Sequence, residues 1–197
     1  MDSNNVDLET IAMMCKSIED WCKANQTLID ELESQQNKTE LSAVLFKELN
    51  LLNKTHIVAT DVSNKALESA KKGIYSTEKM QQYSANYQHA GGLTSLNYYF
   101  TSLYEWVKIS DEIMKYINFQ QHNLLTNKAL NKKHLISCRN VLIYFSDTTQ
   151  ELVFKLLSES LVKQGLLLLG PQDNLHSATL ASDFEVINET AQLYRKK

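Results

Sequence analysis

The chain has only three cysteines, Cys15, Cys22 and Cys138, no CxxC pair, and no apolar run of the roughly 18 residues that a membrane span requires. An odd, widely spaced set of thiols rules out a disulfide framework and lacks zinc-site spacing, so a reducing compartment is expected. Cys15 and Cys22 stand in a helical apolar pattern and are read as core packing. No signal peptide is recognisable, which predicts a soluble cytoplasmic protein without membrane insertion. Net charge is also scarce, at a formal -3. No global field therefore steers the chain onto nucleic acid or an anionic membrane, and any partner must be recognised locally. Repeats and low-complexity stretches are absent.

What is present is enough apolar matter, 43% of 197 residues, for one well-buried domain. Leu8, Ile11, Met14, Cys15, Ile18, Trp21, Cys22, Leu28 and Leu32 recur at helical spacing. Thr39 then caps a second helix carrying Leu41, Val44, Leu45 and Leu49, so residues 1–54 read as a helical segment. From His56 to Thr60 a short β-branched run predicts a strand, interrupted by Asp61 and followed by a helix over Asn64 to Lys72 that stops at Gly73. Residues 76–109 read as an irregular excursion with helix fragments and two small strands near Tyr98 to Phe100 and Trp106 to Ile109, a candidate inserted subdomain. Further strands are expected at Tyr116 to Gln120, Leu135 to Cys138 and Leu166 to Leu169. Between the last two, Thr148 and Glu151 form a capping box for a helix buried through Leu152, Val153, Leu156, Leu157 and Leu161 and ended by Gly165. Phe184 to Ile187 and Gln192 to Tyr194 complete an antiparallel hairpin. Alternating strands and helices predict an α/β fold with a mostly parallel sheet and one reversed edge.

In open α/β sheets ligands collect at the carboxyl ends of strands. Asp61, Asn123 and the pair Arg139-Asn140 all stand at such ends. An acidic residue after the second strand of such a sheet suits ribose hydroxyls; equally, Asp61 suits a turn or N-cap for the following helix. Asn123 with Leu124 offers a polar edge and an apolar face to a purine, or is a loop asparagine. Arg139-Asn140 suits a ligand carboxylate, or satisfies backbone carbonyls of its own loop.

The run Cys138-Arg139-Asn140-Val141-Leu142-Ile143-Tyr144-Phe145 resembles the signature of the CheR family, chemotaxis methyltransferases that esterify receptor glutamates using S-adenosylmethionine. Ala59-Thr60-Asp61-Val62-Ser63 with Ala66-Leu67, Ala70 and Gly73-Ile74-Tyr75 is similar to the family's second-strand block. Asn123-Leu124-Leu125, Leu166 to Gly170 and Leu193-Tyr194-Arg195 match later blocks in family order. The resemblance implies a Rossmann-like methyltransferase sheet with helices on both faces and a C-terminal antiparallel hairpin. It implies S-adenosylmethionine as cofactor, S-adenosylhomocysteine as product and the cytoplasmic helices of chemotaxis receptors as partners. It further implies that Asp61 holds the ribose, with the adjacent Val62 also cofactor-binding, that Asn123 and Leu124 line the adenine, and that Arg139 and Asn140 stand at the sulfonium and amino acid end. Tyr144, with Arg139, would act at the methyl-transfer point. The excursion over residues 76–109 occupies the place of the family's receptor-touching β-subdomain.

The N-terminus departs from the family pattern. The family's strand and glycine-containing loop before its first helix have no counterpart, nor has its N-terminal helical domain. Thr10-Ile11-Ala12-Met13 resembles that first helix, which would put Asp7 on an acidic cofactor-contacting position. Residues 1–197 are thus read as a single methyltransferase-like domain, shortened or degenerate at its N-terminus. Two alternatives accompany the enzyme: a degenerate domain that binds signalling partners without catalysis, and N-terminal helices that pair with another chain through Ile18, Trp21, Leu28 and Leu32.

Overall fold

The structure is a computed structural model and describes residues 38–197 apart from 90, 91, 93, 174 and 176–178. The expected helices before residue 38, with Asp7, Thr10 to Met13, Cys15 and Cys22, lie outside the described residues. Those described form two compact units, one running through Asn123 and the other from Leu124 to Lys197.

The first unit opens with α1, Lys38–Glu48, which buries Ala43, Val44 and Phe46. Strand β1, Ile57–Asp61, then leads into α2, Asn64–Lys72. Ser63 is the N-cap of α2, its hydroxyl accepting the Ala66 N–H at 3.3 Å, and Gly73 closes the helix in the left-handed region at φ 60°. β1 pairs in parallel with β5, Ile117–Gln121, in a register running from Ile57 opposite Ile117 to Asp61 opposite Gln121. Between them the chain forms β2 (Ile74–Ser76), α3 (Thr77–His89), a 3-10 turn (Leu96–Tyr99), β3 (Phe100–Leu103), β4 (Trp106–Ile109) and the short α4 (Asp111–Met114). Strands β2, β4 and β3 make a small antiparallel sheet in that order. Trp106–Ile109 matches the expected small strand, whereas Tyr98 and Tyr99 belong to the 3-10 turn and the other strand begins only at Phe100; the stretch read as helix fragments holds one continuous helix of 13 residues. Met80, Tyr83 and Tyr87 recur at helical spacing and are buried, which sustains α3 despite its polar composition.

The second unit is a four-stranded sheet in the order β6 (Lys133–Cys138), β7 (Leu161–Leu169), β9 (Leu193–Lys196), β8 (Phe184–Asn188). β6 and β7 are parallel, connected through α5, Asp147–Ser160, while β9 runs antiparallel to both β7 and β8. The expected antiparallel hairpin is therefore present, but the reversed strand is β9 inside the sheet, and the edge strand β8 runs parallel to β7, which corrects the expected reversed edge. Leu166 to Leu169 are all buried, as the unbroken leucine run of a strand covered on both faces requires. With Cys138, Leu142, Val153, Phe154, Leu157, Leu161 and Tyr194 they build the core.

Three local expectations are corrected. Helix α5 starts at Asp147 with Ser146 as N-cap, so Thr148 sits inside the first turn and no capping box with Glu151 forms; the Ser146 hydroxyl instead lies 3.2 Å from that of Thr148 and 3.0 Å from that of Thr149. Leu152 is 67% exposed and Phe154 joins Val153 and Leu157 in the core, so the buried face is turned by one residue along the helix. Gly165 does not end the helix, which stops at Ser160. It lies buried within β7, where pairing with β6 skips from Leu161 opposite Lys133 to Leu166 opposite Leu135. A glycine there marks a strand irregularity.

Candidate functional site

In the first unit, the parallel pairing of β1 with β5 brings their carboxyl ends to one edge, because residues at matched register end level with each other. Asp61 is the last residue of β1, and its backbone carbonyl accepts the N–H of His122 at 3.0 Å. Asn123 is the next residue along, so Asp61 and Asn123 stand on neighbouring strand ends. The Asp61 carboxylate accepts the Ser63 N–H through Oδ1 at 2.7 Å, a tight Asx turn that holds the side chain while leaving the residue exposed. The turn role anticipated as an alternative for Asp61 is thus real; the cap itself is Ser63. On the other side of the turn, the Gln121 amide donates to the Val62 carbonyl at 3.0 Å, and the Val62 side chain is 60% exposed. An open apolar side chain and a fixed carboxylate are therefore presented together at the end of β1.

In the second unit, β6 ends at Cys138, whose thiol is buried in the core. The chain turns at Asn140, which adopts the left-handed φ of 56° tolerated by asparagine. Three backbone N–H groups then converge on one buried carboxylate. Asp173 accepts from Asn140 at 2.8 Å and Gly170 at 3.0 Å through Oδ2, and from Leu142 at 3.2 Å through Oδ1. At 2% exposure Asp173 is as deep as the leucines around it, and three charge-assisted bonds compensate its desolvation. Gly170 has to be glycine, since a Cβ would collide with Asn140 Oδ1, Asn140 N and Asp173 Oδ2. From the opposite side, the Gln150 amide on α5 donates to the carbonyls of Leu142 at 3.2 Å and Phe145 at 3.1 Å.

The loop from Arg139 to Phe145 is consequently pinned at both flanks. Leu142 is fully buried and Val141, Phe145 and Leu124 pack against the core, which leaves Arg139 and Asn140 half-buried and Tyr144 80% exposed on the 3-10 turn Leu142–Tyr144. A fixed backbone that offers a guanidinium, an amide and an exposed phenol suits binding with little ordering cost.

The structure thus gathers Asp61, Val62 and Asn123 in one unit and Leu124, Arg139, Asn140 and Tyr144 in the other, while Asp7 falls outside the described residues. Sequence reasoning did not find the anchoring work of Asp173 and Gln150. Asp173 three residues after Gly170 is the signal available for the first, since a short acidic side chain after a glycine turn favours backbone N–H groups.

Residues 40–193 match the family model described as CheR methyltransferase, SAM binding domain. The match begins inside α1, so the resemblance of Thr10 to Met13 to the family's helix lies outside it. Cher3 of Pseudomonas putida, which carries a methyltransferase name, is 35% identical over 154 residues, covering 78% of this chain and 56% of its own length. A chemotaxis protein methyltransferase of Vibrio parahaemolyticus is 32% identical over 166 residues, covering 79% and 50%. That of Escherichia coli is 31% identical over 124 residues, covering 60% and 41%. The chain spans about half the length of the curated relatives it matches. Its strand-end carboxylate, its pinned Arg-Asn loop and this match over both units make the chain a member of the CheR methyltransferase family, in the family's S-adenosylmethionine-binding domain.

Proposed function

We propose that the chain is the cofactor-binding part of a cytoplasmic CheR-type protein-glutamate O-methyltransferase that methylates chemotaxis receptors. Residues 1–197 on this reading belong to one methyltransferase domain, to which both compact units contribute, and the family match across both units supports it. The observation that carries the reading is the Asp61 turn: a carboxylate held by Ser63 N–H, exposed, at the end of a parallel strand. This is the chemistry that two vicinal ribose hydroxyls require.

The residues present fit S-adenosylmethionine. Asp61 accepts from the ribose, with Val62 beside it; Asn123 and Leu124 supply the polar edge and apolar face for adenine. Arg139 and Asn140 hold the amino acid end, and the exposed Tyr144 orients the incoming glutamate side chain. The cofactor supplies a methyl group already activated by a positively charged sulfur, so these side chains need only align the acceptor carboxylate and exclude water. The identity to proteins named chemotaxis methyltransferases favours this reading over a non-catalytic binding module.

Calorimetric titration of the chain with S-adenosylmethionine tests the cofactor half, and labelled methyl transfer onto receptor-bearing membranes tests the acceptor half. Binding with transfer is the expected result. Failure to bind at millimolar cofactor would overturn the reading.

A further inference from the structure

We propose that Gln150 is the positioning residue of Tyr144: its side-chain amide, reaching back from the first turn of α5, brackets the 3-10 turn that carries the phenol and so sets where the hydroxyl meets the acceptor carboxylate. This rests on the methyl-transfer reading above and adds to it the group that aims the side chain at the transfer point.

Tyr144 is 80% exposed, so packing does not decide where its ring points. What decides it is the backbone beneath, because an unpacked side chain starts from the direction of its Cα–Cβ bond and the staggered rotamers about it. That backbone is the turn Leu142–Tyr144, which starts at the fully buried Leu142, exposes Ile143 and Tyr144, and runs into the half-buried Phe145. Within it the Tyr144 N–H donates to the Val141 carbonyl at 3.3 Å and the Phe145 N–H to the Leu142 carbonyl at 2.9 Å. The first of these is long, and a single 3-10 turn holds its shape weakly by itself.

One nitrogen supplies the missing support. Gln150 Nε2 donates to the Leu142 carbonyl at 3.2 Å and to the Phe145 carbonyl at 3.1 Å. A primary amide carries two N–H bonds on one nitrogen, so it can serve both acceptors at once. Ile143 and Tyr144 lie in the chain between those two carbonyls. Gln150 is itself fixed, since its backbone N–H and that of Thr149 donate to the Ser146 carbonyl at 2.8 and 2.9 Å, directly after the turn. Asp173 meets the same turn from β7 by accepting the Leu142 N–H, so Leu142 is held at its N–H by one anchor and at its carbonyl by the other. The two anchors differ in depth. Asp173 is buried and closes two strand ends, whereas Gln150 is half-buried on a helix whose core face is Val153, Phe154 and Leu157. Loss of the Gln150 amide therefore loosens the turn and leaves the core in place.

The test uses the full chain with Gln150→Ala and Gln150→Glu, each made in the wild-type and the Tyr144→Phe backgrounds. In Gln150→Ala, amide hydrogen exchange at Tyr144 and Phe145 should rise about tenfold while Leu166 to Leu169 keep their wild-type rates. Gln150→Glu keeps the length but turns carboxylate oxygens toward two carbonyls at neutral pH, so it should behave as Gln150→Ala does. In labelled methyl transfer either variant should lower kcat about tenfold, the scale of a misplaced group, with cofactor affinity and the KM for receptor unchanged. In the Tyr144→Phe background the same substitutions should lower kcat no further, because a hydroxyl that is gone cannot be misaimed. Equal losses of kcat in both backgrounds, an unchanged kcat in Gln150→Ala, unaltered exchange at Tyr144 and Phe145, or a rise that reaches Leu166 to Leu169 would each overturn the proposal. Absence of transfer by the wild-type chain would defeat the methyl-transfer reading separately, and the exchange contrast would then decide whether Gln150 braces the turn.

Discussion

Asp173 Oδ2 accepts the backbone N–H of Asn140 at 2.8 Å across 33 residues of sequence. The same oxygen takes the Gly170 N–H, so one buried carboxylate ties the end of β6 to the end of β7. Two strand ends that would otherwise expose unpaired donors in the interior are closed by a single side chain.

Asp173→Ala should therefore destabilise the protein by about 3 kcal/mol, the order expected when a charged acceptor is removed from buried N–H groups. Urea titration monitored by tyrosine fluorescence measures this as a drop in midpoint at unchanged slope. A shift in midpoint corresponding to under about 1 kcal/mol would show that water replaces the carboxylate.

Gly170→Ala offers a second approach to the same joint. The added methyl meets Asn140 and Asp173, both of them fixed by hydrogen bonds, so the loop from Arg139 to Phe145 must shift. A stability loss of about 1 to 3 kcal/mol is expected, together with weakened cofactor binding. Calorimetry at a temperature where the variant remains folded separates the two effects.

Asp61→Ala removes an exposed carboxylate whose bond to Ser63 N–H lies within a local turn, so the fold should persist with a stability change within about 1 kcal/mol. Cofactor affinity should fall at least about tenfold, equivalent to about 1.4 kcal/mol. Asp61→Asn, which keeps an acceptor for Ser63, separates the turn from the ligand contact: equal loss in both variants assigns the effect to the charge.

Tyr144→Phe should leave unfolding unchanged, because the side chain is 80% exposed. Its effect belongs in kcat for methyl transfer, with cofactor affinity retained. Identical kcat would remove Tyr144 from the transfer point.

Glu40 on α1 is 1% exposed, its Oε1 accepting the Tyr75 hydroxyl at 2.7 Å, and burial raises its pKa above the ordinary 4.5 despite that bond. A carboxyl whose folded pKa lies above its unfolded value binds its proton more tightly when folded. Its contribution to stability is complete below the unfolded pKa and is lost as pH rises through the folded one. Glu40→Gln, which keeps an oxygen for Tyr75, should therefore raise Tm relative to wild type near pH 7. The gap should close as pH falls toward 4.5. Thermal unfolding across that range checks the sign.

Local signals in the sequence determined a good deal about this protein. The β-branched run before Asp61, the Asn64 to Lys72 helix with Gly73 as its stop, the buried Leu166 to Leu169 strand and the C-terminal hairpin all stand where periodicity and turn chemistry put them, because short-range sterics and burial pattern suffice for such elements. The lettering around Asp61, Asn123 and Arg139-Asn140 likewise marked the strand ends and led to the family. Tertiary structure alone decided the rest. Leu152 and Phe154 compete for the same core, and only the packing of α5 settles which one enters it. Asp173 finds Asn140 and Leu142 more than thirty residues away, and Glu48 finds Tyr87 and Tyr99. These polar anchors carry no periodic trace, because what selects them is the free-energy cost of leaving a buried donor unpaired, and that cost exists only once the chain has closed around it.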